Sequence, residues 1–178
     1  MHEVNAVTTN EQCDVCGFIW DEIQAGQISA LLSSATGQLC ELLIAQGDRV
    51  ARRPEPERWS SLEYAAHLRD VYLSIRDRMV VACVELEPTL PPLYREERVA
   101  FGFYELDTVD DMVTELTTAA TLFNKVFTQM PDGLRERRMP FAFPVAATRT
   151  LSWIASQVYH EAFHHLGDVR VNGELLSA

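Results

Sequence analysis

Hydrophobic residues recur at three- and four-residue steps in four long stretches of the chain, which is the periodicity of amphipathic helices. Strict alternation of apolar and polar residues, the mark of a half-buried strand, is not convincing in any segment. The pattern predicts four helices of roughly 20 residues each. They are placed at about 20–46, from Ser60 through Met79, at about 108–130 and at about 150–171.

Local signals mark several helix ends. Ser60 and Glu63 form a capping box, which predicts the start of the second helix. The Pro-Asp-Gly segment at 131–133 is expected to end the third helix, and Asn172-Gly173 is expected to end the last one. The helix boundaries therefore follow from short-range sequence features.

The connection between the second and third helices, residues 85–106, contains three prolines and no sustained period. It is longer than a helical hairpin needs, so it predicts a crossover. The predicted fold class is all-α, a four-helix bundle with a long crossover between helices two and three. We assign residues 20–178 to this bundle and residues 1–19 to an N-terminal tail that carries a C-x-x-C knuckle.

Composition and charge narrow the possible partners. The chain of 178 residues has a formal net charge of −11, so we expect neither nucleic acid nor an anionic membrane surface to bind it. No signal peptide or membrane span is recognised, which predicts a cytoplasmic protein. All basic residues except Lys125 are arginines, a bias that suggests a GC-rich genome.

The last helix carries the candidate chemistry, in YHEAFHHLGDVR at residues 159–170. His160 and His164 lie about 40° apart on one helical face, which suits two ligands of one metal ion. The segment also contains the zinc-protease signature H-E-x-x-H, but Arg170 stands where the long form needs a third histidine. A short tail after His164 and the lack of predicted strands further disfavour a protease.

A third ligand has to come from upstream, and His67 is the candidate. It lies on or beside the apolar face of helix two, where a histidine is more often a core residue than a ligand. A bundle can nevertheless bring it against the pair on the last helix, and three imidazoles with open positions make a catalytic type of site. His165 is interpreted as a core or interface residue, and Glu161 is left as an unassigned carboxylate.

Cys13 and Cys16, in CDVCGF, have the form of a metal-binding knuckle. A knuckle is half of a tetrahedral zinc site, and no second C-x-x-C supplies the other half unless a dimer mate contributes it. Cys40 and Cys83 lie singly in apolar helical patterns and are expected to be inert thiols. The role of the knuckle therefore stays open.

Two segments together resemble the DinB-like (damage-inducible B) family. WSSLEYAAHLRD, residues 59–70, is similar to its W-S-x-x-E-x-x-x-H-L-x-D segment, and H-x-x-x-H-H-x-G-D, residues 160–168, is similar to its closing motif. The resemblance covers the chain from about residue 20. It implies a metal-binding bundle in which His67, His160 and His164 bind zinc or nickel, and it implies a homodimer.

The family also includes maleylpyruvate isomerases that depend on a low-molecular-weight thiol, whose triad resembles His, Glu and His. With His160 placed at the Glu position, this chain looks closer to the thiol S-transferase branch. The resemblance then implies metal-dependent conjugation of a low-molecular-weight thiol to an electrophilic small molecule, and the GC-rich bias favours mycothiol. The alternative is a non-catalytic or hydrolytic metal-binding bundle of the stress response.

Overall fold

The computed structural model describes residues 11–86, 88 and 91–177. Short 3₁₀ helices flank the first long helix, at Trp20–Glu22, Ala25–Gln27 and Gly47–Ala51. The α-helices and strands of this part of the chain are α1 (Ile28–Gln46), α2 (Ser61–Val84), α3 (Arg95–Ala100), α4 (Val109–Gln129), α5 (Asp132–Arg135), β1 (Arg138–Phe141), β2 (Ala147–Thr150) and α6 (Leu151–Leu175).

The long helices α1, α2, α4 and α6 form a bundle in which α1 and α2 each pack against both α4 and α6. The neighbours α2 and α4 run in the same direction. Near their starts Arg69 donates to Glu115, and beyond the end of α4 Arg137 donates to the carbonyl of Ala82. Parallel neighbours need a connection that returns along the bundle, which residues 85–108 supply. The predicted all-α bundle with its long crossover is confirmed.

Buried apolar side chains from all four long helices fill the interior of the bundle. The start of α2 is capped as predicted. The Glu63 N–H donates to Ser60 Oγ at 3.1 Å, and the Ser60 N–H donates to Glu63 Oε2 at 2.7 Å. These two bonds satisfy backbone donors that a helix start leaves unpaired. Large core side chains include Leu32, Leu39, Leu43, Leu68, Met79, Leu116, Phe123 and Phe127.

Two helix ends differ from their predicted positions. The first helix begins at Ile28 because residues 20–27 form two 3₁₀ turns instead of α-helix. The last helix continues past its expected stop to Leu175. Asn172 does not end it because its side chain is buried, where its Oδ1 accepts a hydrogen bond from Arg58 Nε at 2.5 Å.

A short β-hairpin precedes α6, so the expectation of no strands was wrong here. Strands β1 and β2 pair antiparallel, with Met139 opposite Arg149. Met139 is buried, and the Phe141 ring lies edge-on to Trp153 of α6 with centroids 6.3 Å apart. Four-residue strands are too short for alternation to stand out, and an isolated hairpin depends on packing against a helix.

Residues 11–19 fold back onto α6. Gln12 and Ile19 form an antiparallel bridge, and the buried rings of Phe18 and Trp20 lie 5.0 and 4.7 Å from the ring of His160. The first ten residues of the predicted N-terminal tail lie outside the described residues. The rest of that tail forms part of the structure around α6.

One helical stretch, Ala25–Ala51, is long and apolar enough to cross a membrane by length and composition alone, and an 18-residue window within it has a mean hydropathy of 1.4. It contains α1, whose buried side chains pack against α4 and α6. The core helix of a bundle has the same length and apolar character.

Candidate metal centre

His67, Glu161 and His165 meet between α2 and α6. His67 is only 3% exposed. Glu161 and His165 are one turn apart on α6, so they project from the same face of that helix toward α2. Tyr64 of α2 stacks on the His165 ring with centroids 5.0 Å apart. We call His67, Glu161 and His165 the inter-helix site.

One carboxylate oxygen lies between the two imidazoles. The Nε2 atoms of His67 and His165 are each 3.4 Å from Oε2 of Glu161. This distance is long for a charge-assisted hydrogen bond, which typically spans about 2.7–2.9 Å. It matches the edge of a tetrahedron around zinc, which is about 3.4 Å for ordinary Zn–N and Zn–O bonds. Two of the three distances between ligand atoms in the inter-helix site therefore fit one metal ion, and all three ligand atoms lie within 4.8 Å of one another.

Further hydrogen bonds orient these side chains. His165 Nδ1 lies 2.9 Å from Asp168 Oδ2, and Arg58 donates to the other oxygen of that carboxylate at 3.1 Å. Gln157 Nε2 donates to Glu161 Oε1 at 2.6 Å. With Nδ1 held by a carboxylate, His165 turns Nε2 toward the site, where a bound cation would take the place of the Nε2 proton.

Burial and neighbouring charges set the protonation of the inter-helix site. Burial opposes the charge of Glu161, but hydrogen bonds with His165 and His67 hold the pKa of that carboxyl well below its usual range. Burial lowers the pKa of His67. Burial also opposes charge on His165, yet Asp168 and Glu161 raise its pKa to about 8. Without a cation, the site at neutral pH holds one carboxylate, one neutral imidazole and one imidazolium.

A second group of ligand-type side chains lies on the adjacent face of α6, where His160 and His164 meet Cys13 and Cys16. One ligand atom from each of the four lies within 4.8 Å of the other three. We call these residues the Cys/His cluster. Burial lowers the pKa of His160 to about 4 and raises the pKa of Cys16 to about 11, so both groups are neutral without a cation.

The predicted ligands His67, His160 and His164 are thus divided between two places. Among the described residues, His67 groups with Glu161 and His165, whereas His160 and His164 group with the two cysteines. The sequence contains two i, i+4 pairs, one beginning at His160 and one at Glu161, and they differ by 100° around the helix. The sequence analysis predicted that His160 and His164 bind a metal ion together with His67. It assigned no metal role to Glu161 or His165.

The burial pattern of α6 contains a signal that separates the two pairs. Buried side chains recur at three- and four-residue steps along one seam. Glu161 and His165 fall within this seam, whereas His160 is buried outside it and His164 is half-buried. The apolar members of that seam can be recognised in the sequence. The seam comprises Leu151, Ile154, Val158, Glu161, His165, Val169 and Asn172.

Two cavities meet at the inter-helix site. The first has a volume of about 470 Å³ and is lined by His67, Val71 and Phe141 among others. The second has a volume of about 430 Å³ and lies between residues 11–15 and the histidines of α6. Glu161, like Arg95 and Phe143, lines both cavities. Two molecules could therefore approach the same carboxylate from different sides.

The family model of the DinB superfamily matches residues 34–169, a span that includes α2, α4 and the histidines of α6. The chain belongs to the DinB superfamily. Resemblance of the two short motifs to this family is thereby confirmed at the level of the superfamily. A comparison with curated protein sequences finds no match.

Among solved structures, this DinB-superfamily chain is similar to YfiT from Bacillus subtilis, described as a probable metal-dependent hydrolase with an unusual four-helix bundle topology. The TM-score is 0.76 at 13% identity, over 86% of this chain and 88% of YfiT. It is also similar to mycothiol-dependent maleylpyruvate isomerase, with a TM-score of 0.68 at 15% identity, over 84% of this chain and 62% of the isomerase. At these identities the likeness shows a shared fold.

Proposed function

We propose that this chain is a metal-dependent enzyme that transfers a low-molecular-weight thiol to a small electrophile. The observation that carries the proposal is the spacing of the inter-helix site, where two imidazole nitrogens each lie 3.4 Å from one carboxylate oxygen. Three protein ligands leave a coordination position open, which is typical of catalytic metal sites and not of structural ones.

His67, Glu161 and His165 would hold the cation. A divalent ion bound there would lower the pKa of a coordinated thiol, which supplies a thiolate nucleophile at neutral pH. Asp168 fixes the tautomer of His165, and Gln157 fixes the carboxylate of Glu161, so these two ligands are oriented by the protein itself. The three ligand side chains are buried, and in such low-dielectric surroundings the attraction between a cation and a thiolate is stronger than in water.

The two cavities support a reaction between two substrates. Apolar side chains such as Val71, Ile75 and Phe141 line the first cavity, which suits a small apolar electrophile. The second cavity is lined by the polar side chains of Glu11, Gln12 and Arg149 together with apolar ones such as Trp20, which suits a thiol that carries polar groups. Both substrates would then meet beside the ligands of the inter-helix site.

Mycothiol is the proposed thiol. The fold is shared with a mycothiol-dependent isomerase, and the arginine-rich composition suggests a GC-rich genome. The sequence argument for a transferase placed His160 at the Glu position of the isomerase triad, whereas the structure places Glu161 beside His67. A thiol-dependent isomerisation would use the same three residues, and it differs from transfer because the thiol is released again at the end of the reaction.

A hydrolase is the second candidate, because an open coordination position can take water as readily as a thiol. YfiT, which shares the fold, is described as a probable metal-dependent hydrolase. The two candidates differ in whether turnover requires an added thiol. Ester hydrolysis by the metal-loaded chain without any thiol would favour the hydrolase.

The proposal is tested by turnover of the purified chain loaded with zinc or nickel. We expect the sulfur of mycothiol to replace the chlorine of the generic electrophile 1-chloro-2,4-dinitrobenzene, which gives a thioether, chloride and a proton. Glu161→Gln should lose this activity because a metal ligand is removed. Glu115→Gln is the matched control, since Glu115 is a carboxylate on α4 that pairs with Arg69 away from the site. Equal kcat/KM in Glu161→Gln and the wild type would refute the proposal.

The ligand set implied by the family resemblance, His67, His160 and His164, predicts different metal contents of variants from the inter-helix site. If His67, His160 and His164 bound one ion, His160→Gln and His67→Gln would release the same ion. The inter-helix site predicts that His160→Gln retains the ion that His67→Gln loses. Metal analysis that includes the double variant His67→Gln/His160→Gln separates the two ligand sets. A shared ion is lost in either single variant with no further loss in the double variant, whereas ions at two separate sites are lost one at a time.

Several finer expectations stay predictions. Elemental analysis of protein purified without added metal would distinguish zinc from nickel. Analytical ultracentrifugation would test the homodimer implied by the family resemblance. Fractionation of the native host would test the expected cytoplasmic location.

A further inference from the structure

The CDVCGF segment folds as a tight turn beneath two sulfurs. The Gly17 N–H donates to the Cys13 carbonyl at 2.8 Å, and the Cys13 N–H donates to the Phe18 carbonyl at 2.8 Å. Gly17 has a φ of +74°, a conformation that favours glycine. This turn presents Cys13 and Cys16 on the same side, as a metal-binding knuckle requires.

Helix α6 supplies two further ligands opposite the knuckle. His160 and His164 are one turn apart on α6, and the Cys13 sulfur is 3.8 Å from His164 Nδ1. In a tetrahedral zinc site, sulfur and nitrogen ligands are separated by about 3.6 Å. The spacing of this pair is therefore close to what a shared zinc ion needs, and all four ligand atoms lie within 4.8 Å of one another.

His160 provides an independent indication of a ligand. Its side chain is buried, and both ring nitrogens have no hydrogen-bond partner among the described residues. A buried imidazole without any partner is costly, because one nitrogen is always a donor and the other an acceptor in the neutral ring. Coordination of a cation by one of these nitrogens would remove part of that cost.

We propose that Cys13, Cys16, His160 and His164 bind one zinc ion in a closed tetrahedral site. Two thiolates and two neutral imidazoles balance the charge of the ion, which suits a half-buried position. With four protein ligands the site has no open position for a substrate, so its role is structural. It is independent of the proposed function, because it shares no ligand with the inter-helix site.

The zinc ion would fasten the N-terminal segment to α6. Residues 11–15 line the second cavity, together with His160 and His164. Fixing these residues against α6 therefore fixes one wall of the cavity next to Glu161. The N-terminal segment thus forms part of the surroundings of the inter-helix site although it is far from α6 in the sequence. Cys13 and His164 are 151 residues apart.

Cobalt substitution of the full chain tests this site directly. Under reducing conditions we expect two Co²⁺ ions per wild-type chain and a near-ultraviolet charge-transfer band from thiolate to cobalt. Cys13→Ser should lose one ion and weaken the band, whereas His67→Ala should lose one ion and keep the band unchanged. Cys83→Ser is the matched control for loss of a thiol, and it should keep both ions.

Absence of the thiolate band from reduced, cobalt-loaded wild-type protein would overturn the proposal. The same conclusion follows if Cys13→Ser and Cys83→Ser give equal bands. Because the wild-type spectrum carries the test, the result does not depend on whether a cysteine variant folds. The outcome is also separate from thiol turnover, which reports on the inter-helix site.

Discussion

Replacing Asp168 with Asn tests whether the inter-helix site binds a metal ion. Asp168 accepts a hydrogen bond from His165 Nδ1 at 2.9 Å and pairs with Arg58 at 3.1 Å. Asn keeps the shape and one acceptor oxygen but removes the negative charge. His165 therefore keeps its position while losing the charged partner that makes Nε2 a better ligand.

The expected loss of affinity follows from the strength of that hydrogen bond. A hydrogen bond to a charged acceptor contributes about 1.5–3 kcal/mol and a neutral one about 0.5–1.5 kcal/mol. The difference of about 1–1.5 kcal/mol corresponds to roughly 10-fold weaker metal binding. The comparison is made above pH 8, where His165 has lost the proton that Asp168 stabilises in the metal-free site. Asp168 Oδ2 is 3.7 Å from His164 Nε2, beyond hydrogen-bond reach, so the Cys/His cluster should be affected less.

Competition with a chromophoric chelator measures the Kd of the inter-helix site when Cys13→Ser is present in every protein compared, because that change removes the ion of the Cys/His cluster. Asp107→Asn is the matched control. Asp107 pairs with Arg69 at 3.1 Å, and its side chain is 20% exposed, as is that of Asp168. We expect the roughly 10-fold loss in Asp168→Asn and an unchanged Kd in Asp107→Asn. Equal Kd values in both variants and the wild type would show that the inter-helix site is not the metal centre.

Three further predictions concern stability and local order. Leu32→Ala removes a fully buried side chain and should lower the free energy of unfolding in urea by about 3–5 kcal/mol; a loss below about 1 kcal/mol would contradict the proposed core. Ser60→Ala removes the cap of α2 and should cost about 1–2 kcal/mol in the same assay, whereas Ser60→Thr should restore most of it. Chelation of zinc should accelerate hydrogen exchange at the amides of Cys13 and Gly17, while exchange in α1 stays slow. Unchanged protection of those two amides would argue against a structural ion in the Cys/His cluster.

The four helices and the cap of α2 follow from the sequence because their causes are local. Helical periodicity needs only neighbours within two turns, and the box of Ser60 and Glu63 needs only four residues. The crossover follows from the length of the segment after α2. The hairpin before α6 was missed because its short strands depend on packing against Trp153, a contact that no local pattern records.

The site was only half determined by the sequence. His67 and a histidine-bearing turn of α6 could be identified, but the turn offers two pairs with the same spacing, at His160 and at Glu161. Packing of the buried seam of α6 against its neighbours sets the rotation of the helix, and that rotation turns Glu161 toward His67. The same rotation leaves His160 facing the cysteine knuckle. Spacing along the chain determined which side chains of α6 project from the same face of the helix. Which of these pairs faces His67 and which faces the cysteines was decided only by tertiary packing, because packing acts between segments that are distant in the sequence.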